Sequence, residues 1–128
     1  MQNVLTDLLG IDYPIVQAPM ASATTPEMVI AASEAGALGS LGAAYMRPEE
    51  IRDAIRQIRK ATSRTFQVNL FSPAKPCPLS DDDIDRARRP LRSIQKELGL
   101  PEPNKVPEIK DRFLEQLEVL LSESIEVI

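Results

Sequence analysis

Ile15-Val16-Gln17-Ala18-Pro19 is followed by Thr25-Pro26-Glu27 and then by Gly36-Ala37-Leu38-Gly39-Ser40-Leu41. This stretch decides the fold. The first segment is a short apolar run closed by a proline, which predicts a buried strand at 15–18. Thr25 is an N-cap residue. Pro26 suits the first helical position, and Glu27 places a carboxylate where the helix dipole favours it. Gly36 suits the position just past a helix end. The run 37–41 then predicts a second strand. Strand, helix and strand in about 27 residues is a right-handed βαβ unit with parallel strands.

The same alternation continues downstream. A second helix starts near Pro48. Ile51, Ala54, Ile55 and Ile58 follow the spacing of one buried helical face. The basic residues from Arg52 to Arg64 are interspersed with acidic ones and predict a solvated helix face rather than an anion-binding patch. Phe66-Gln67-Val68-Asn69-Leu70-Phe71 predicts the third strand. Residues 72–78 hold three prolines and are irregular. Ser80 caps an acidic turn, Asp81-Asp82-Asp83, which is expected to complement a helix dipole rather than bind a metal. Ile84, Ala87, Leu91, Ile94 and Leu98 form a sparse stripe ending at Gly99. Pro90 falls inside it, which predicts a kink or two shorter helices. After a second proline-rich connector at 100–107, residues 108–122 predict a helix with Ile109, Phe113, Leu117, Leu120 and Leu121 on one face. Residues 125–128 predict a fourth strand.

The expected fold is therefore α/β: parallel strands alternating with helices, with a helical insertion at about 72–105 after the third strand. A (β/α)₈ barrel needs about 250 residues, and the chain has 128. Parallel strands are normally covered on both faces, and the chain stops at Val127-Ile128 as if inside a strand. It is thus expected to be the N-terminal half of a (β/α)₈ TIM barrel. The alternative is a small open sheet that stands alone or self-associates by pairing half-barrels.

Composition narrows the function. Net charge is −4 and 43% of residues are apolar. A mildly acidic chain is a poor partner for nucleic acid or an anionic membrane. The N-terminus has no basic segment or signal-like run, and nothing approaches the ~20 apolar residues that span a bilayer. The expected location is the cytoplasm. No histidine is present, which removes the commonest general base and metal ligand. No metal site is expected, and no catalytic residue can be named. The single cysteine, Cys77, sits between Pro76 and Pro78 and reads as an incidental loop residue.

In parallel sheets and barrels, ligands bind at the C-terminal ends of the strands. Ala18-Pro19-Met20 follows the first strand, with small residues that let a flat ligand approach the backbone. Gly42 follows the second. Asn69 is a carboxamide near the end of the third. If Val68 and Leu70 face the helices, Gln67 and Asn69 point into the barrel. A carboxamide there can both donate to and accept from a heteroaromatic ring edge. Taken one at a time, Gln17-Ala18-Pro19-Met20 also reads as a tight turn under a strand, and Asn69 as a cap of the following loop.

Together these segments resemble a known family. Pro14-Ile15-Val16-Gln17-Ala18-Pro19-Met20 is similar to the opening strand of the nitronate monooxygenases, once called 2-nitropropane dioxygenases. Ala35-Gly36-Ala37-Leu38-Gly39-Ser40-Leu41-Gly42 resembles their second-strand segment, Phe66 to Phe71 their third, and Ser124-Ile125-Glu126-Val127-Ile128 the start of their fourth. The resemblance runs collinearly over essentially the whole chain. It implies a barrel that holds FMN non-covalently and oxidises alkyl nitronates with O₂ to a carbonyl compound and nitrite. By position it implies that Ala18, Pro19 and Met20 lie against the flavin, that Asn69 hydrogen-bonds it, and that Gly42 lines the same mouth. The family's catalytic histidine and glycine-rich FMN-phosphate loops lie in the barrel's second half. With no histidine here, that half is expected to be missing, and the chain alone to bind FMN weakly and turn nothing over.

Two rivals remain open. One is the related flavin-dependent enoyl-acyl-carrier-protein reductase, whose first strand tends to end in Gly-Gly-Met where this chain has Ala18-Pro19-Met20. The other is a non-catalytic half-barrel that acts by pairing with a partner chain.

Overall fold

The computed structural model describes residues 3–73, 78–101 and 110–128. Cys77, most of the second connector and the predicted helix start at 108–109 lie outside the described residues. Helices α1 (Val4–Leu9), α2 (Pro26–Glu34), α3 (Pro48–Ala61), α4 (Asp81–Arg88), α5 (Arg92–Glu97) and α6 (Phe113–Ser122) accompany strands β1 (Gly39–Gly42) and β2 (Phe66–Asn69). The chain divides into two compact units, one of Met1–Ser72 with Arg112–Ile128 and one of Pro73–Asp111.

The first unit is an α/β layer with parallel strands. β1 pairs with β2 in the register Gly39 with Phe66, Ser40 with Gln67, Leu41 with Val68 and Gly42 with Asn69. Single parallel bridges extend this order on both sides, Val16 to Leu38 and Gln67 to Val127. The four predicted strand segments thus lie side by side in chain order.

Helix α3 shows why the chain folds this way. Ile51, Ala54, Ile55 and Ile58 are all buried, as their spacing predicts. They meet Val29 from α2, Leu41 and Ala43 from the β1 end, Phe66 and Val68 from β2, and Val119 and Leu120 from α6 in one core cluster. Fully burying an aliphatic side chain is worth about 1.5–3 kcal/mol, so this cluster dominates the unit's stability. Helix α2 starts as the sequence indicates. Thr25 Oγ1 accepts from the Met28 N–H at 3.3 Å, and Pro26 occupies the first turn. Gly36 follows its end with φ +87°, a conformation that glycine adopts without a steric penalty.

Several expectations need correction. The segment 15–18 is not a buried strand. It pairs at Val16 alone, and Ile15 and Val16 are 58% and 45% exposed. The segment 125–128 pairs only at Val127. Among the described residues each of these outer segments has one strand neighbour and a single bridge to it. β1 lies at 39–42 rather than 37–41, and β2 stops at Asn69, two residues short. Within the described residues, the last helix begins at Phe113. Its buried residues are Gln116, Val119 and Leu120, whereas Leu121 is 65% exposed. The buried stripe is rotated because the polar Gln116 takes an inward position. The six-residue helix α1 was not expected. Asn3 and Thr6 form a reciprocal capping box at its start, and Gly10 closes it with φ +64°.

The basic face of α3 is solvated, as its interspersed charges predict, and it is also tied to one carboxylate. Arg52, Arg56 and Arg59 all reach the Glu123 carboxylate, at 3.4, 3.5 and 3.7 Å. Arg59 also donates to the Ser124 carbonyl at 3.0 Å. Three cations on one half-buried carboxylate fasten the end of α6 to α3.

In the second unit, Pro90 falls in a 3₁₀ turn (Arg89–Leu91) between α4 and α5, so the stripe does break into two short helices. Ser80 and Asp83 cap α4 reciprocally. No described residue of α4 or α5 is buried.

Candidate functional site

Side chains alternate across a strand. Phe66 and Val68 are buried in the helix-facing core, so Gln67 and Asn69 stand on the opposite face. The register pairs Gln67 with Ser40 and Asn69 with Gly42 on that same face. Gly42 and Asn69 are the last residues of their strands. They form the C-terminal rim of the sheet, and the Ala43 N–H donates to the Asn69 carbonyl at 3.0 Å beside them.

The turn at 18–21 is brought onto this rim. A β-carbon at Gly42 would lie 2.7 Å from the Met20 carbonyl carbon and 2.8 Å from the Ala21 nitrogen. Only a glycine lets the turn approach so closely. The Met20 carbonyl accepts three hydrogen bonds, from the Ala23 N–H at 3.0 Å, the Thr24 N–H at 2.8 Å and the Thr24 hydroxyl at 3.0 Å. Ser22 takes φ +64° in the tight turn this requires. Met20, Gly42 and Asn69 are therefore neighbours through the backbone. Pro19 is half-buried, Ala18 is exposed and Met20 is 44% exposed. Asn69 is half-buried, and its carboxamide has no hydrogen-bond partner among the described residues.

A polar layer lies one pair deeper. The Gln17 carboxamide accepts from the Ser40 N–H at 2.9 Å and donates to the Ser40 carbonyl at 3.2 Å and to the Ala18 carbonyl at 2.6 Å. Gln67 donates to the Ser40 hydroxyl at 2.7 Å. Ser40 is fully buried, and these bonds satisfy it. Gln17 thereby ties the first segment to β1 where the backbone ladder supplies only one bridge. Local patterning does not reveal Gln17, Ser40 or Thr24 as a set, because the bonds that tie them to or within the sheet join positions 18 to 27 residues apart.

Beyond the rim, the loop after β1 carries Tyr45 and the segment after β2 carries Phe71. Their rings meet edge to face with centroids 5.8 Å apart, and both are largely exposed. The loop is pinned from α6. Gln116, 3% exposed, donates to the carbonyls of Ala43, Ala44 and Met46 at 3.3, 3.3 and 2.8 Å.

Among the described residues, the carboxylates whose acidity is displaced all sit at helix N-termini. Glu27 is held below the usual glutamate value mainly by its own backbone N–H, helped by Thr25 and Gln57. Glu50 is lowered first by the Arg47 backbone N–H and then by its guanidinium. Asp83 is lowered by the Ser80 hydroxyl and N–H. A cavity of about 440 Å³, lined by Arg59, Arg64, Phe66 and Ser124 among others, opens at the N-terminal end of β2. That is the opposite end of the sheet from Asn69.

The first unit is thus a parallel α/β layer with small residues on its C-terminal rim, the end at which ligands bind in α/β folds generally, and with an Asn69 carboxamide there that has no partner among the described residues. The nitronate monooxygenase family model matches residues 2–128, and the chain belongs to that family. It is 39% identical over 102 residues to a probable nitronate monooxygenase of Staphylococcus aureus, which covers 80% of this chain and 28% of that protein. The chain thus spans under a third of the length of the curated relatives it matches. Nitroalkane oxidase from Streptomyces ansochromogenes superimposes with a TM-score of 0.76 at 30% identity, over 94% of this chain and 34% of that one. FabK from Thermotoga maritima superimposes with a TM-score of 0.65 at 26% identity, over 98% and 29%.

Proposed function

We propose that these residues are the FMN-binding first half of a (β/α)₈ barrel whose whole protein oxidises alkyl nitronates with O₂ to a carbonyl compound and nitrite. The observation that carries this reading is the meeting of Met20, Gly42 and Asn69 at the C-terminal rim. The Asn69 carboxamide there has its donor and acceptor unused within the described residues. Ala18, Pro19 and Met20 would meet the flavin largely through backbone groups, and Asn69 would hydrogen-bond its ring edge. The bound flavin would take electrons from the nitronate and pass them to dioxygen.

Four segments aligned in chain order support the barrel, as does the greater length of the relatives. The separate unit Pro73–Asp111 supports reading about 72–105 as an insertion after the third strand. Among the described residues no helix is long and apolar enough to cross a membrane, and we place the protein in the cytoplasm. A related flavin-dependent enoyl-acyl-carrier-protein reductase stays as the second reading. The Ala18-Pro19-Met20 turn favours the nitronate reading, as does the closer superposition on nitroalkane oxidase.

Titrating the purified chain with FMN, followed by quenching of flavin fluorescence, tests the reading. Saturable but weak binding without nitronate turnover is expected. Absence of any saturable binding would overturn it. The whole protein should consume O₂ with an alkyl nitronate; enoyl-thioester reduction without nitronate oxidation would select the second reading instead.

A further inference from the structure

Thr24 and Thr25 are adjacent but do different work. Thr25 caps α2. Thr24 is buried, 8% exposed, and its hydroxyl is used twice. It donates to the Met20 carbonyl at 3.0 Å and accepts from the Gly42 N–H at 2.9 Å. The second bond is buried and joins residues 18 apart in the chain. One hydroxyl therefore links the turn 18–21 to the last residue of β1, at the start of α2.

We propose that Thr24 is the positioning residue of the flavin-binding turn, setting the height of Ala18-Pro19-Met20 above Gly42 and Asn69. The proposal rests on the FMN reading above. Its logic is a division of labour among the bonds. Two backbone donors, from Ala23 and Thr24, hold the Met20 carbonyl inside the turn whatever side chain stands at 24. The hydroxyl alone connects that carbonyl to β1. Removing it leaves the turn closed but loosens its seat on the strand. It also leaves a buried N–H on Gly42 without its acceptor, and Gly42 has no side chain to compensate. Thr24 does not touch the flavin in this scheme. It acts through the position of Met20.

The test compares Thr24→Val, Thr24→Ala and Thr24→Ser with the parent chain. Without flavin, the Gly42 amide should exchange with solvent at least roughly tenfold faster in the Val and Ala variants, since a hydrogen bond of ordinary strength is lost. The Leu41 amide should be unchanged, and Ser should restore the parent rate at Gly42. With FMN, the Val and Ala variants should bind about tenfold more weakly and show an altered visible dichroism of the flavin. Ser should match the parent in both. If the parent chain does not bind FMN, the flavin reading fails and this proposal with it. If the parent binds and the Val and Ala variants bind equally well, only the positioning role is overturned. Equal loss in the Ser variant would show that the methyl group, not the hydroxyl, matters, and would overturn it too. Should Val fail to fold by far-ultraviolet dichroism, Ala carries the comparison. Failure of both to fold would make Thr24 a folding residue and reject the proposal.

Discussion

Gly42 and Met20 are packed backbone to backbone: a β-carbon at 42 would come within 2.7 Å of the Met20 carbonyl carbon. Real β-carbons do not make such a contact with backbone, so one of the two must move. Gly42→Ala should therefore lift the turn off β1 and strain the Thr24 bridge. We expect a loss of about 1–3 kcal/mol in urea unfolding, as overpacking usually costs, together with weaker FMN binding. An Ala variant with parent stability and parent affinity would show that the turn has room to spare and is not seated as described.

What the sequence discloses of this molecule depends on how local the determining contacts are. The buried stripe of α3 is legible because Ile51, Ala54, Ile55 and Ile58 repeat at helical spacing and meet the core directly. The break at Pro90 and the caps at Thr25 and Ser80 are legible for the same reason. The strand segments at 15–18 and 125–128 are harder. Apolar composition marks them, but the length of a ladder depends on its neighbours. Helix α1 left a signal in the Asn3 and Thr6 capping pair and Gly10, although six residues carry too little periodicity to announce a helix. Candidate residues at strand ends follow from the parallel topology. The polar groups that fix them, Thr24 to Gly42 and Gln116 to Ala43, join positions 18 and 73 residues apart. No local pattern encodes such pairs.

Asn69 invites a separation of function from stability. Its carboxamide makes no hydrogen bond within the described residues, so the fold loses little when it goes. Asn69→Ala should change the unfolding free energy by no more than about 0.5 kcal/mol. FMN affinity should fall roughly three- to tenfold, the worth of one ordinary hydrogen bond. A large stability loss with unchanged affinity would reverse the assignment and make Asn69 structural.

Glu123 faces three guanidinium groups, so neutralising it does more than delete one pair. Arg52, Arg56 and Arg59 would remain close together without their common counter-ion. Each is substantially exposed, 39–63% at the side chain, and solvent screening keeps the effect moderate. Glu123→Gln should destabilise by about 1 kcal/mol at low salt, the upper end for exposed pairs. The difference from the parent should shrink at 1 M salt, where the screening length is only about 3 Å. A difference that does not depend on salt would point to packing instead of charge.

The pH profile follows from the helix N-termini. Glu27, Glu50 and Asp83 are all held below their usual values by hydrogen bonds to their charged forms. A carboxylate with a depressed folded-state pKa stabilises the fold above its unfolded value and loses that contribution as pH falls through the folded value. With no histidine in the chain, little titrates near neutrality. The melting temperature should be flat between about pH 5.5 and 7.5 and fall on the acid side, where unperturbed carboxylates titrate near 4. Glu50→Gln should flatten part of that acid limb by removing one of the three groups. An acid limb of unchanged depth in this variant would rule out the Arg47–Glu50 cap as a contributor.

Gln116 offers the sharpest contrast between two near-isosteric changes. Its amide nitrogen has two hydrogens to share among the carbonyls of Ala43, Ala44 and Met46. Gln116→Leu keeps most of the volume and removes the donor; the Ala43 carbonyl keeps the Met46 N–H at 2.9 Å, but the part-buried Ala44 and Met46 carbonyls lose this partner, at a cost of about 1–3 kcal/mol. Gln116→Glu turns a donor into an acceptor facing three acceptors, and burial of that charge adds to the penalty at neutral pH. Stability should therefore rank parent, Leu, Glu at neutral pH. Lowering the pH should narrow the gap between Leu and Glu, because a protonated carboxyl regains one donor. The amide resonances of residues 43–46 should shift in both variants, since this loop carries Tyr45 against Phe71 and is fixed from α6 by Gln116. If Glu proves as stable as Leu at neutral pH, the carbonyls must turn away to solvent, and the loop after β1 is held by something other than this side chain.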